Sequence, residues 1–307
     1  MYDVCIIGGG PAGMYSAFYC ASRGLNTLLL EGNKKLGGRL HYYLDMPIYD
    51  LPGQYGITAE EYLRNLERQL HISSAQILLN ERVRHVHFDQ HFTVQTTSNT
   101  YEAKTIINAT GTGYIQHKKL QSESITAEAL QHISYSLPAN FESTEKIAII
   151  GHTPMAIDWA IQLKKRCVDV LLIESQSIQL QPILMDAIQA LQIPIRSLQH
   201  TQIDYHLSTF SINDEPFSHV FCHIGTTKES FTLPCRIVQK DNSYTSLAGY
   251  FIAGDARFEQ DKLKLIHGAT HDAMQASNSA YLYLNPNDTY QPIVSTHHPI
   301  FKDWNRH

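Results

Sequence analysis

The sequence predicts an α/β protein of two parallel-sheet domains, the second inserted into the first. Three observations predict it. A strand–glycine turn–helix–strand unit opens the chain, and a second unit of the same kind begins after Lys146. Two strand-into-turn segments, 105–111 and 249–255, flank that second unit. Each glycine turn sits between a short apolar strand run and a helical stretch, as in Rossmann-type three-layer folds.

In the first unit, residues 4–7 are β-rich, residues 11–22 carry helical composition and residues 27–30 (Thr-Leu-Leu-Leu) read as a buried strand. A helix is expected over 59–70, strands over 82–88 and 91–97, and a last helix from Gly268 to Leu284. In the second unit the expected elements are a strand over 147–150, a helix over 154–165 and a strand over 168–173. The first domain is therefore expected to comprise 1–111 and 248–307, with the insert at 112–247.

Composition narrows the function classes. The chain of 307 residues is 43% hydrophobic and 17% charged, as in globular proteins, and its formal net charge is −5. No basic field is available for nucleic acid or anionic lipid, so neither is expected as a partner. No apolar run approaches the roughly 20 residues that span a bilayer. The chain enters a strand at Tyr2 without a basic leader, and a cytoplasmic location is expected. The five cysteines, Cys5, Cys20, Cys167, Cys222 and Cys235, form no CxxC and read as reduced thiols. Among seventeen histidines, the pairs His85/His87 and His297/His298 lack a third ligand at metal spacing, so no metal is expected.

The chemistry resides in Gly8-Gly9-Gly10-Pro11-Ala12-Gly13, a G-x-G-x-x-G in its required strand-to-helix context. Gly8 permits the tight turn, Gly10 lets backbone approach a pyrophosphate, and Gly13 lets the helix pack on the sheet. The first helical turn, with Pro11 and Ala12, offers free N–H groups and a positive dipole end. Glu31, at the end of the second strand, stands where a carboxylate accepts ribose hydroxyls.

With these motifs the chain resembles flavin-dependent reductases of thioredoxin-reductase architecture, and within them the ferredoxin–NADP reductase branch. That resemblance implies FAD in the first domain and a pyridine-nucleotide fold in the insert. Leu36-Gly37-Gly38-Arg39-Leu40 is similar to the family's turn beside the flavin, with Arg39 in place of glutamine. Ile48-Tyr49-Asp50-Leu51-Pro52-Gly53 resembles a segment whose tyrosine packs on the isoalloxazine. Ala109-Thr110-Gly111 and Ala253-Gly254-Asp255 resemble the two turns closing on the cofactor, with the aspartate at the ribityl chain. Val83 and the approach to the last helix, Leu265 and Ile266, complete the implied FAD contacts. The tail, Tyr290 to Thr296, resembles an extension folded over the partner subunit's flavin. It implies a homodimer and makes Ser295 and Thr296 candidate hydrogen bonders; Val294 stands where the family often has a ring.

The departures matter as much. The insert lacks the CxxC of thioredoxin reductases, which excludes dithiol chemistry of that kind. Its own turn, Gly151-His152-Thr153-Pro154-Met155-Ala156, has Thr153 where G-x-G-x-x-A needs its middle glycine. Gly151, Thr153, Met155 and Glu174 are the candidate NAD(P) contacts. The run after the second strand, 173–179, carries no arginine, and Glu174 would repel a 2′-phosphate and could accept ribose hydroxyls instead. Two readings stay open: the insert takes NADH through Glu174, or it is degenerate and has lost nucleotide binding. NADPH held by the family's arginine clamp is the least favoured. No side-chain catalyst is expected, because the chemistry belongs to the flavin. The implied acceptor is a small redox protein or a small molecule, and the alternative function is an FAD-bound relay or redox sensor.

Overall fold

The computed structural model describes residues 1–137, 145–177, 182–240, 243–258, 260 and 262–288. The chain forms two units, Met1–Tyr114 with Glu229–His307, and Ile115–Lys228. The return to the first unit comes at Glu229, earlier than the Ala248 expected from sequence. Residues 231–247 belong there because Thr232 exchanges backbone hydrogen bonds with Arg84 and Val86. Phe231, Leu233, Ile237 and Leu247 also pack on that unit's core.

The first unit runs β1 (Tyr2–Ile7), α1 (Pro11–Ser22), β2 (Thr27–Leu30), β3 (Pro47–Ile48), β4 (Ile57–Thr58), α2 (Ala59–His71) and β5 (Gln76–Leu78). It continues through β6 (Val83–Phe88), β7 (Phe92–Thr96) and β8 (Thr100–Asn108). The strands order as β5-β2-β1-β8-β7-β6. β1, β2, β5 and the second half of β8 are parallel, whereas β6 and β7 are antiparallel. The second unit then contains α3 (Ala127–His132), β10 (Lys146–Gly151), α4 (Pro154–Lys165), β11 (Asp169–Glu174), α5 (Pro182–Ala190) and β12 (Ile195–Ser197). It ends with an antiparallel meander, β13 (Ile203–His206), β14 (Thr209–Ile212) and β15 (Glu215–Phe217), and with β16 (His219–His223). Its main sheet, β12-β11-β10-β16, is wholly parallel. Two short strands, β9 (Tyr114–His117) and β17 (Thr226–Glu229), carry the chain between units and pair with each other. Back in the first unit, β18 (Tyr250–Ile252) joins β8 in parallel and α6 (Ile266–Leu284) follows.

Both parallel sheets are buried on both faces, which is why their strands read as continuous apolar runs. In β1, Val4 and Ile6 face α1, α2 and α6, while Cys5 and Ile7 face the β6–β7 layer. In β10, Ile147 and Ile149 face α4 and α5, whereas Ala148 and Ile150 face the β13–β15 meander. Burying each such aliphatic side chain contributes roughly 1.5–3 kcal/mol. α2 is held at its start by a capping box, Thr58 accepting from Glu61 N–H while the Glu61 carboxylate accepts from Thr58 N–H.

The fold's tightest contact lies at the first glycine turn. Gly8 has φ +104°, and a Cβ on Gly13 would stand 1.7 Å from the Gly8 carbonyl oxygen. Gly13→Ala is therefore expected to cost about 3 kcal/mol or more, the upper end of overpacking penalties. Thermal unfolding followed by circular dichroism checks this; an unchanged midpoint would contradict the packing described.

Candidate functional site

In the first unit the candidate residues come together at the carboxyl end of β1, where neighbouring strands lead off in opposite directions. That is the switch point at which open α/β sheets bind ligands. Gly10 is the N-cap of α1 and has no side chain to cap it, so the first-turn N–H groups stay available to a ligand. A Cβ on Gly10 would meet nothing nearer than the Gly38 Cα, 4.0 Å away. The 3-10 turn Gly38–Tyr42 approaches from the other side, tied by Gly37 N–H donating to the Gly9 carbonyl at 2.8 Å. Ala109 closes the back of the turn, its carbonyl oxygen 2.7 Å from where a Gly8 Cβ would be, and Gly111 follows with φ +62°.

Glu31 is 6% exposed. Its Oε2 accepts from Gly9 N–H at 2.6 Å, and its Oε1 accepts from the Asn33 backbone N–H and Nδ2 at 2.7 and 2.8 Å. A carboxylate has about four acceptor sites, so one on Oε2 remains for a ligand hydroxyl. Asn33, which orients this carboxylate, has no sequence signal of its own.

Gly254 is where the two helices meet. A Cβ there would lie 2.9 Å from the Ala12 Cβ and 3.8 Å from the Ala269 Cβ, so the first turns of α1 and α6 converge on it. α6 begins at Ile266 rather than Gly268, with Leu265 as an N-cap that makes no side-chain bond. Two uncapped, positively polarised helix ends thus face one place. Asp255 follows Gly254, and the Arg39 guanidinium stands 3.7 Å from its carboxylate.

The remaining candidates differ in exposure. Tyr49, 65% exposed, meets Tyr55 edge-on at 5.7 Å in the loop between β3 and β4, with Asp50 exposed beside it. Leu40 and Val83 are buried core residues. Ser295 and Thr296, with the rest of the tail motif, lie outside the described residues. Arg82 was not foreseen: its guanidinium lies 3.9 Å over the Tyr114 ring and pairs with Glu229, so it grips both ends of the first unit where the insert departs. The Tyr114 ring also packs against Gly32, next to Glu31.

In the second unit, Gly151 ends β10 and Thr153 caps α4, accepting from Ala156 N–H at 3.3 Å. The Thr153 hydroxyl also contacts His223, 2.6 Å from Nδ1 and 3.0 Å from the carbonyl oxygen. Met155 packs on the α4 core, and Glu174 ends β11. His152 Nδ1 lies 2.8 Å from Ser175 Oγ, bridging the turn to the strand end where ribose discrimination is expected. Burial holds the His223 imidazole below its usual range, with His117 and His152 adding to the effect. Burial pushes the Cys20 and Cys222 thiols up to about 12, so neither is a thiolate at neutral pH. Among the described residues no group of three or more His, Cys, Asp or Glu is placed to hold a metal.

Residues 2–273 match the family model for pyridine nucleotide-disulphide oxidoreductases. The chain belongs to this family. Two relatives from Lysinibacillus sphaericus, ferredoxin–NADP reductases 1 and 3, are 30% and 31% identical over 100% of this chain and 96% of their own lengths. Among solved structures, Lactococcus lactis thioredoxin reductase superposes with a TM-score of 0.63 at 24% identity, covering 93% of this chain and 100% of its own. The thioredoxin reductase of T. acidophilum gives 0.60 at 21%. These likenesses establish the two-domain fold and an FAD-dependent pyridine nucleotide oxidoreductase. The first unit fits FAD on its own geometry: two uncapped helix ends, an open cradle at Gly10 and a buried carboxylate with a spare acceptor site.

Glu31→Gln is expected to weaken FAD binding by roughly 10- to 100-fold, the worth of a hydrogen bond to a charged group. Fluorescence titration of apo-protein with FAD measures it. For His223 the folded-state affinity for protons is depressed, so the unfolded chain binds a proton first as pH falls below 6.5. Its contribution to stability is present above that pH and lost as pH falls through the lower folded value. Thermal midpoints between pH 8 and 5 are expected to fall less steeply in His223→Asn than in wild type; parallel curves would remove His223 as the cause.

Proposed function

We propose that the chain takes hydride from NAD(P)H onto FAD and delivers electrons singly to a small redox protein, as the names of its ferredoxin–NADP reductase relatives suggest. The observation that carries this reading is the convergence of the α1 and α6 amino ends at Gly254, with the buried Glu31 bonded to the same glycine turn through Gly9. Gly8, Gly10 and Gly13 then take the pyrophosphate, Glu31 the adenosine ribose and Asp255 the ribityl chain. When bound, the flavin supplies both two-electron and one-electron chemistry. Residues 1–114 and 229–307 serve as the FAD domain, and the insert as the pyridine-nucleotide domain. A homodimer belongs to the proposal through the tail's resemblance, and a cytoplasmic location through five free cysteines.

For the donor, Glu174 at the end of β11 favours NADH over NADPH, since the run 173–179 carries no arginine to hold a 2′-phosphate. A second reading, a flavin relay fed by another protein, is favoured by one observation. The Thr153 hydroxyl fills the turn and is committed to His223, where a pyrophosphate needs open backbone.

Anaerobic titration of the yellow protein with NADH and with NADPH, following flavin absorbance, separates these. Stoichiometric bleaching by NADH in preference to NADPH is the expected outcome. Preference for NADPH would overturn the role given to Glu174. Bleaching by dithionite alone would favour the relay.

A further inference from the structure

Two consecutive residues pin the glycine turn of the insert to the strands on either side of β10. His152 Nδ1 lies 2.8 Å from the Oγ of Ser175, the first residue after β11. The Thr153 hydroxyl reaches the other way, to His223 at the end of β16. Behind them a Cβ on Gly151 would stand 2.4 Å from the His223 carbonyl oxygen, so the turn is packed against the sheet as well as bonded to it. A turn held from both sides resists widening.

The His152–Ser175 contact falls where one pyridine nucleotide is told from the other. A carboxylate at the end of the second strand accepts the 2′-hydroxyl of NAD, whereas a cation nearby accommodates the 2′-phosphate of NADP. Glu174 is that carboxylate, half-buried, and Ser175 follows it directly. A phosphate monoester carries close to two negative charges and three acceptor oxygens, so beside Glu174 it needs added room and donors. Residues 174–195 include no lysine or arginine to supply them. Lys164 and Lys165 lie in the last turn of α4, at the other end of the helix from the glycine turn. What the chain places beside Glu174 instead is the imidazole of His152, with the Ser175 hydroxyl turned onto it.

We propose that His152 is a positioning residue for cofactor choice: by holding Ser175 against the glycine turn it keeps the space beside Glu174 sized for a ribose hydroxyl and closed to a 2′-phosphate. The inference rests on the NADH reading of the insert and adds two residues that reading does not use. Glu174 supplies the repulsion, and the His152–Ser175 tie supplies the steric half of the choice. The tie can be cut from either end without touching the carboxylate.

The test is a ratio, kcat/KM for NADH over kcat/KM for NADPH, measured on the FAD-loaded protein with ferricyanide as acceptor. His152→Ala and Ser175→Ala are each expected to lower it roughly 3- to 10-fold, about the worth of one hydrogen bond. Cut from both ends the tie is lost only once, so the double variant is expected to match the single ones. His152→Asn, whose amide stands near the Nδ1 position, is expected to restore most of the ratio. A merely structural tie would weaken both nucleotides alike and leave the ratio unchanged, and that result overturns the proposal. Losses that add in the double variant overturn it equally. The FAD content of each variant, read from its absorbance, checks that it has folded. Wild-type flavin bleached by dithionite but by neither nucleotide, or preferentially by NADPH, would refute the NADH reading itself and the proposal with it, a failure seen before any variant is compared.

Discussion

At the end of β1 the backbone of α1 comes so close to the Gly8 carbonyl that no side chain fits at Gly13. This approach seats α1 on the sheet and presents Ala12 to Gly254, which in turn brings in the first turn of α6. The same turn exposes Gly9 N–H to Glu31, linking the end of β2 to the site. Four segments far apart in sequence are thereby referred to a single steric contact. The convergence of the two helix dipoles at Gly254 is its downstream result.

The insert repeats the construction and separates two demands that the first unit meets at once. A Cβ on Gly151 would stand 2.4 Å from the His223 carbonyl oxygen and 2.6 Å from the Ala156 Cβ, so a glycine and a small residue are needed for packing alone. The middle position carries no such packing demand, and there Thr153 caps the helix through its own side chain. Helix and sheet can dock without a ligand in view. The packing requirement is fully met in both units, whereas the middle position is open at Gly10 and carries a side chain at Thr153.

Much of this was legible in the residues. α1, β2 and α4 fall where composition and the flanking glycines put them, because each is a short apolar or helical run bounded by a turn or proline. The glycine turn, Glu31 and the Gly254–Asp255 turn could be read because they depend on local backbone rules. The β13–β15 meander and the return at Glu229 were not read. Their placement depends on long-range packing, such as Thr232 pairing with Arg84, that leaves no local pattern. The partners of functional groups were equally hidden. Asn33 and His223 are ordinary polar residues in sequence and acquire meaning only through what they touch.

The insert is continuous from Ile115 to Lys228, while the first unit is closed by β18 and α6 near the other end of the chain. Synthesis proceeds from the amino terminus, and domains fold as units as they emerge. The insert is therefore complete while the first sheet still lacks β18, Gly254 and α6. The cradle at β1 acquires its second helix end only when α6 leaves the ribosome, after the insert is complete.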